Sequence, residues 1–448
     1  MKRFIILTVL FSNIVMAQHT IKGVFSPAKD YEVVLLYKVT PTISEYIDNA
    51  VVAEDGAFSF TLDSTVTKGV YRVVYAVPQE DFNFDVLYNG NENIELQFNS
   101  ETGVDFTTSS ENKLLASYTN SMSAITHSIG NFFKDSKGKE KVLMDIFKTQ
   151  QSTQEEYEKL AKGTIALNFI KANKPYTPTQ FEDVNTYVTN LEDHYFDYVD
   201  FTNKTLQGSN FLEERMLNYI FGVSKIKDDE TANYKANIDV FNNAMQVAPT
   251  KVKRVLLVSL WEQFSELKQE VVANYISEKY LIPVAKSLND NDLVETLTLY
   301  RDLSLGHQAP DFSFEITKDE KPVLQNLSEL KTAQYYVLLF WSSSCSHCLK
   351  EVPEVAAYAK NQDKDSVQVI AIGLEEEPYQ WKSLTYDLPE FIHVYGENKW
   401  DNKIAKSYGV NSTPNYFILD KDKRIVAKPY DINALKAFFE KADTLPKN

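Results

Sequence analysis

The sequence has 448 residues and carries 62 acidic against 46 basic side chains, which gives a net charge of −16. Such an acidic surface repels phosphate groups and anionic lipid headgroups, and this argues against a nucleic-acid-binding or membrane-surface protein. Hydrophobic residues make up 44% of the chain and aromatic residues 13%, enough for packed cores in two to four domains. The only two cysteines, Cys345 and Cys348, are separated by two residues.

Residues 1–17 have the pattern of a secretory signal peptide. Lys2 and Arg3 form a positive start, Phe4–Met16 is mainly apolar, and Ala17 is the small residue that signal peptidase prefers. The apolar run is too short to span a bilayer comfortably. We therefore expect a soluble periplasmic chain that starts near Gln18, has no membrane-spanning segment and carries a net charge of −18 without the leader.

Residues 18–108 are predicted to form an all-β, sandwich-like domain. Short runs of β-branched and aromatic residues, such as Ala57–Leu62, are separated by turn signals rich in Gly, Asp and Asn. The stretch resembles a β-domain of uncharacterised role that often precedes thioredoxin-like domains in exported bacterial proteins. That resemblance rests on Asp55–Phe58, Gly69–Arg72 and Ser110–Asn112.

Residues 109–304 are predicted to be all-α. Apolar residues recur at steps of three and four between 115 and 132, and similar patterns follow. Two sequences, Thr108–Glu111 and Ser152–Glu155, have the spacing of a capping box, so each predicts the start of a helix. Leu305–Pro310 is the predicted linker to the last domain.

Residues 305–448 alternate strands and helices, which predicts a mixed α/β domain. The apolar run Tyr336–Phe340 leads into Cys345 and Cys348, and a helical pattern follows from Leu349. Cys-x-x-Cys at a strand-to-helix turn is typical of a dithiol/disulfide redox centre. A disulfide that closes so short a loop stabilises a fold little, so reactivity explains the pair better than stability does.

The physical chemistry of this turn predicts different roles for the two cysteines. Cys345 lies at a helix N-terminus, where free amides and the helix dipole favour the thiolate, and is the expected nucleophile. Cys348, one turn further, is expected to be more buried and to resolve the mixed disulfide. His347 adds a donor and, when protonated, a positive charge that tunes the redox centre; alternatively it is neutral and only caps the turn.

The C-terminal region resembles the TlpA/ResA-like exported thiol-disulfide oxidoreductases, which have the thioredoxin fold. Matching segments occur in the family's order at Ala309–Phe312, Trp341, the Cys-x-x-Cys pair, Pro353, Tyr408–Pro414 and Asp420–Lys423. The resemblance implies an enzyme that exchanges disulfides with protein substrates, without a cofactor. It implies a reductase or isomerase that works with protein thiols and an upstream redox partner.

The resemblance also implies further site residues. Pro414 is expected to follow a cis peptide bond, with Thr413 and Trp341 beside it in substrate binding. Glu351 matches a carboxylate of this family that would relay a proton to or from Cys348; a solvated glutamate is the alternative.

Two positions depart from the pattern of related proteins. Leu339 stands where thioredoxins carry a buried aspartate, so Glu351 is the remaining candidate for proton transfer. Ser344 stands where the family usually has an aromatic residue just before the first cysteine. We expect a more polar and open lip there, which puts the family's substrate preference in doubt for this chain.

Three other functions fit less of the sequence. A non-catalytic binding protein would act through the β and helical regions, and leaves the intact redox motif unexplained. A thiol peroxidase needs a threonine three residues before its cysteine, where this chain has Ser342. A structural zinc site needs four ligands, and two cysteines without a second pair predict no metal site.

Overall fold

The computed structural model describes residues 19–443 except 41–43, 64, 80, 135–138, 319–320 and 364. The predicted signal peptide therefore lies outside the described residues. The chain divides into two compact units, Met1–Glu262 and Gln263–Asn448. Among the described residues, no helix combines the length and apolar character needed to cross a bilayer.

The first unit begins with strands in two four-stranded sheets, β1 (His19–Ser26), β2 (Val33–Lys38), β3 (Glu45–Val51), β4 (Ala57–Leu62), β5 (Gly69–Val74), β6 (Asn83–Tyr88), β7 (Ile94–Asn99) and β8 (Gly103–Phe106). The strand orders are β4-β1-β7-β8 and β3-β2-β5-β6. Alternate residues of both sheets, among them Phe60 and Tyr71, belong to one buried apolar cluster. The predicted strand-rich N-terminal region is confirmed.

Helices make up the rest of the first unit, as the predicted helical middle region requires. They are α1 (Ser110–Lys134), α2 (Glu140–Leu160), α3 (Ala166–Ala172), α4 (Val184–Asp193), α5 (Lys204–Gln207), α6 (Phe211–Gly222), α7 (Glu230–Ala244) and α8 (Thr250–Glu266), the last of which runs past the boundary between the units.

The two predicted capping boxes are wrong, for different reasons. Helix α1 does begin at Ser110, but the buried carboxylate of Glu111 accepts hydrogen bonds from the amides of Ile165 at 2.8 Å and Ala166 at 3.4 Å. The Glu111 carboxylate therefore caps the free amides at the start of α3 and not those at the start of its own helix. Ser152–Glu155 lies inside α2, so no helix starts there.

The second unit starts with helices and ends in an α/β domain. Its elements are α9 (Glu270–Ile276), a π-helical turn (Ser277–Leu281), α10 (Ile282–Ser287), α11 (Asn291–Asp302), β9 (Ser313–Lys318), β10 (Lys321–Asn326), β11 (Tyr335–Trp341), α12 (Ser346–Lys360), β12 (Val367–Glu375), α13 (Pro378–Thr385), β13 (Ile392–Glu397), α14 (Lys403–Ser407), β14 (Asn415–Asp420), β15 (Ile425–Ala427) and α15 (Ile432–Asp443).

Strand β11 is the centre of a mixed five-stranded sheet with the order β13-β12-β11-β14-β15. It pairs in parallel with β12 and antiparallel with β14. Its residues alternate between two buried clusters, with Leu338 and Phe340 in one and Leu339 and Trp341 in the other. Because both faces are covered, the strand is apolar throughout, and its carboxyl end delivers the chain to the cysteine turn.

The predicted linker Leu305–Pro310 is part of the second unit rather than a free connection. The amide of Gly306 donates to the carbonyl oxygen of Ile425 at 2.7 Å, and that of Ala309 donates to Lys423 at 2.9 Å. The compact unit begins at Gln263, ahead of the predicted boundary at residue 305. The division into domains at 108 and 304 stays a prediction.

The hairpin turn between β14 and β15 holds a lysine in the interior. Lys423 is 2% exposed. Its Nζ donates to the carbonyl oxygens of Leu330 at 2.7 Å and Lys421 at 2.8 Å, and lies 4.0 Å from the ring centre of Tyr336. Two carbonyls and an aromatic face thus replace the water that this ammonium group loses.

Candidate active site

The two cysteines lie at the start of helix α12 with both thiols free. Cys345 is the N-cap residue, with extended backbone angles of −91° and 115°, and its sulfur accepts a hydrogen bond from the amide of Cys348 at 3.3 Å. Cys345 is partly exposed, whereas Cys348 is completely buried. The arrangement gives one thiol that a partner can reach and one that only Cys345 can reach.

The environments of the two thiols shift their pKa values in opposite directions. Partial burial raises the pKa of Cys345, but hydrogen bonds from Cys348, from the side chain of Thr413 and from the backbone of His347 outweigh it, so that this pKa lies below its ordinary value. Burial, together with the hydrogen bond to Cys345, raises the pKa of Cys348 to about 12. Cys345 is therefore the thiol that ionises first, because hydrogen bonds to a thiolate favour the charged form.

The loop before β14 forms the opposite wall of the site. The peptide bond between Thr413 and Pro414 is cis, which confirms the predicted isomer. The Cys345 thiol donates to the carbonyl oxygen of Thr413 at 3.3 Å, across 68 residues of sequence. The structure therefore brings together the cysteine turn and the Thr413–Pro414 loop; their part in substrate binding stays a prediction.

Glu351 is half-buried one turn beyond Cys348. Its Oε1 accepts a hydrogen bond from the hydroxyl of Tyr416 at 2.9 Å and another from the backbone amide of Ile432 at 2.5 Å. The carboxylate is therefore held by protein donors and is not the freely solvated glutamate of the alternative interpretation. Its role as a proton relay stays a prediction.

The remaining predicted residues have different surroundings. The side chain of His347 is exposed, so its tuning of the redox centre stays a prediction. Ser344 is exposed beside Cys345, as expected for a polar lip. The indole of Trp341 is 1% exposed and packs in the same cluster as Cys348. The ring thus contributes to the packing around Cys348, and the part of Trp341 in substrate binding stays a prediction.

Two residues at the site were missed by sequence reasoning. Tyr416 holds Glu351, and burial together with the Glu351 carboxylate raises its pKa. Glu375, at the end of β12, accepts hydrogen bonds from Ser342 and Ser343. Tyr416 follows Pro414 by two residues, which is a usable signal, whereas Glu375 stands among three consecutive glutamates with nothing in the sequence to mark it.

The part of the chain that the structure describes contains no cluster of three or more His, Cys, Asp or Glu arranged to hold a metal ion. The groups that the candidate site itself offers are two thiols, the Glu351 carboxylate and backbone amides and carbonyls. An accessible thiol of lowered pKa beside a buried thiol of raised pKa can carry out two-step thiol–disulfide exchange.

Comparison with known proteins gives matches for both ends of the chain. A family described as thioredoxin-like matches residues 333–425, and a domain of unknown function (DUF4369) matches residues 19–115. Thiol-disulfide oxidoreductase ResA of Bacillus thuringiensis subsp. konkukian (strain 97-27) is 30% identical over 129 residues, which are 28% of this chain and 68% of that protein. Thioredoxin-like protein YneN of Bacillus subtilis (strain 168) is 32% identical over 123 residues, which are 26% of this chain and 65% of that protein.

Among solved structures, one similar to this chain is a domain of a possible thiol-disulfide isomerase from Cytophaga hutchinsonii. It is 25% identical, with a TM-score of 0.27, and the match covers 31% of this chain and 92% of that domain.

Proposed function

This chain belongs to the ResA-like family of thiol-disulfide oxidoreductases, and from that membership we propose a reaction in which Cys345 and Cys348 exchange electrons with the disulfides of protein substrates. The enzyme class follows from the family and the thioredoxin-like match. The residue roles are the proposal. The observation that carries it is the pairing of a partly exposed N-cap thiol of lowered pKa with a fully buried thiol of raised pKa.

In the first step, the Cys345 thiolate attacks one sulfur of a substrate disulfide. A bond forms between Cys345 and that sulfur, the substrate disulfide breaks, and the departing thiolate takes up a proton from solvent. Hydrogen bonds to the Cys345 sulfur, such as the one from the Cys348 amide, increase the fraction of thiolate at neutral pH. The product is a mixed disulfide.

In the second step, Cys348 loses its proton and attacks the Cys345 sulfur. A Cys345–Cys348 disulfide forms, the second substrate thiol leaves, and the substrate gains two electrons that the chain loses. Because the pKa of Cys348 is about 12, this step needs a base. We assign that role to Glu351, whose carboxylate Tyr416 and Ile432 hold one turn beyond Cys348.

Substrate docks, in this proposal, along the backbone of Thr413. The Thr413–Pro414 loop lies against the Cys345 thiol, so an extended peptide paired with this backbone would bring its disulfide to the nucleophile. Thr413 and Pro414 would then select for peptide shape rather than for particular side chains.

The cellular setting is part of the same proposal. We infer that the chain is exported to the periplasm after removal of residues 1–17, acts there as a reductase or isomerase, and is reset by an upstream dithiol partner. The two sheets of residues 19–106 are proposed to pack as a sandwich, supported by their shared apolar cluster. We propose that this region and the helices after it position or select the partner.

Single cysteine substitutions test the assignment in the full-length chain. Cys345→Ser removes the nucleophile and is expected to abolish the reduction of insulin disulfides. Cys348→Ser leaves attack intact but blocks resolution, so mixed disulfides with substrate should accumulate on non-reducing gels. A Cys345→Ser variant that reduces insulin at the wild-type rate would refute the proposal.

A further inference from the structure

A buried carboxylate lies behind the active-site turn. Glu375 is the last residue of β12 and is 5% exposed. Its Oε1 accepts a hydrogen bond from the amide of Ser343 at 2.5 Å. Its Oε2 accepts from the hydroxyl of Ser343 at 2.9 Å and from that of Ser342 at 3.4 Å. All the donors described for this carboxylate therefore belong to the turn that immediately precedes Cys345.

A carboxylate in the interior needs such donors. Burial removes its water shell, and the free energy is recovered only when protein hydrogen bonds replace the lost ones. The backbone amide and the two serine hydroxyls supply that replacement, and bonds to a charged acceptor are the stronger kind. Glu375 and the turn consequently hold each other in one geometry.

The same turn controls the backbone that carries the nucleophile. The amide of Cys345 donates to the carbonyl oxygen of Ser342 at 3.1 Å, and the amide of Ser344 donates to the Ser342 hydroxyl at 3.3 Å. On the other side, the side-chain amide of Gln380 donates to the carbonyl oxygen of Ser343 at 3.1 Å. A displacement of Ser342 or Ser343 therefore moves the backbone of Cys345.

We propose that Glu375 is a positioning residue, whose carboxylate fixes Ser342 and Ser343 and thereby keeps the Cys345 sulfur aligned with the amide of Cys348 and the carbonyl of Thr413. The inference rests on the proposed role of Cys345 as the nucleophile. It adds a third element to the site, because β12 then supports the reacting thiol together with α12 and the Thr413–Pro414 loop.

The test is the pH profile of Cys345 alkylation by iodoacetamide in the reduced full-length chain. Glu375→Gln keeps the side-chain size and removes the charged acceptor. If Glu375 positions the turn, the sulfur loses part of its hydrogen bond from the Cys348 amide, which favours the thiolate, so the midpoint of the profile rises and the rate at pH 7 falls about threefold or more. If Glu375 acts only through its charge, neutralising it favours the thiolate and the midpoint falls. A lowered or unchanged midpoint therefore overturns the proposal.

Two further variants control for charge and folding. Glu376→Gln neutralises the exposed neighbouring glutamate and should leave the midpoint unchanged. Ser343→Ala keeps the Glu375 charge but removes one hydrogen bond, and should raise the midpoint by less than Glu375→Gln does. It carries the test if Glu375→Gln does not fold. A loss of thermal stability with an unmoved midpoint would give Glu375 a structural role only and also overturns the proposal.

Alkylation does not depend on exchange with a protein disulfide. If the wild-type chain fails to reduce insulin, the proposed function fails while the alkylation profiles still decide the role of Glu375.

Discussion

The pKa of Cys345 lies below the ordinary value for a thiol, and the pKa of Cys348 lies above it. A thiol reacts with alkylating agents only as the thiolate. We predict that iodoacetamide labels the native reduced chain once, at Cys345, with a rate that reaches half its plateau below the pH of about 8.5 typical of a free cysteine. Below that midpoint the sulfur is protonated and the rate falls about tenfold per pH unit. Cys348 should be labelled only after unfolding, because its pKa is about 12.

Peptide mapping after labelling measures both parts of this prediction. Equal labelling of the two cysteines in the native chain would contradict the assignment of Cys345 as the accessible thiolate.

Tyr416 is the residue through which the rest of the fold holds Glu351. We predict that Tyr416→Phe leaves the first attack by Cys345 unchanged but slows resolution by Cys348 about tenfold, roughly the effect of one hydrogen bond to a charged group. The measurement is the lifetime of the mixed disulfide formed with a peptide disulfide, followed by rapid quenching and mass spectrometry.

Tyr386→Phe is the matched control, since it removes an exposed tyrosine hydroxyl from the same unit and should change neither step. If Tyr416→Phe slowed attack and resolution equally, the hydroxyl would support the site as a whole and not the Glu351 carboxylate.

For single residues, the sequence could predict those whose role depends on neighbours close along the chain. The spacing of Cys345 and Cys348 and the start of a helix indicated which thiol is exposed, and Glu351 could be placed one turn away. The partners of Glu351 could not be predicted, because Tyr416 and Ile432 lie 65 and 81 residues further along the chain. Glu375 was missed for the same reason, since its donors come from a different strand end.

At the scale of elements, helices α9–α11 are attached to the α/β domain by polar contacts as well as apolar ones. Lys428, just after β15, forms an ion pair with Glu270 of α9 and donates to the carbonyl oxygen of Leu303 at 3.0 Å. Glu270 also accepts the amide of Leu305 at 2.7 Å. The side chains of Leu299 and Leu303 pack on the domain's apolar cluster. The helices therefore stabilise the unit that carries the candidate active site.

We predict that Lys428→Met lowers the free energy of unfolding of the second unit by about 1–2 kcal/mol, because the largely buried Glu270 charge loses its partner. Urea denaturation followed by tryptophan fluorescence measures this, since three of the four tryptophans, Trp341, Trp381 and Trp400, lie in that unit.

Lys406→Met is the control for this substitution. It makes the same change in an exposed ion pair with Asp401, where a loss of about 0.5 kcal/mol or less is expected. Equal effects of the two substitutions would mean that the Lys428–Glu270 contact contributes no more than a surface pair.

The predicted strands and helices are confirmed where the sequence pattern depends on residues that are close along the chain. The apolar run before the cysteines forms β11, and the predicted helix begins at Ser346, between the two cysteines. The prediction failed where a tertiary contact decides, as for Glu111, whose carboxylate satisfies amides at the start of α3 instead of its own helix. The segment Leu305–Pro310 resembled a linker because its hydrogen-bond partners, in the hairpin after β14, lie more than 100 residues away.

At the scale of the whole molecule, the sequence predicts three regions by their periodicity, and the structure has strands, then helices, then an α/β domain in that order. Periodicity reports the type of each region, but compactness depends on contacts that no local pattern encodes. The second unit consequently includes residues 263–304, which belong to the helical region by pattern.

Because Lys423 is buried, its reactivity towards a reagent in solution reports whether the second unit is folded. Reagents that acylate amines react with a lysine nitrogen that has lost its proton and that solvent can reach. Nζ of Lys423 is instead enclosed by the carbonyls of Leu330 and Lys421 and the ring of Tyr336. While the unit is folded, surface lysines such as Lys406 should be modified and Lys423 spared. Acylation of Lys423 would then mark the opening of the β14–β15 hairpin, which also anchors residues 306–309.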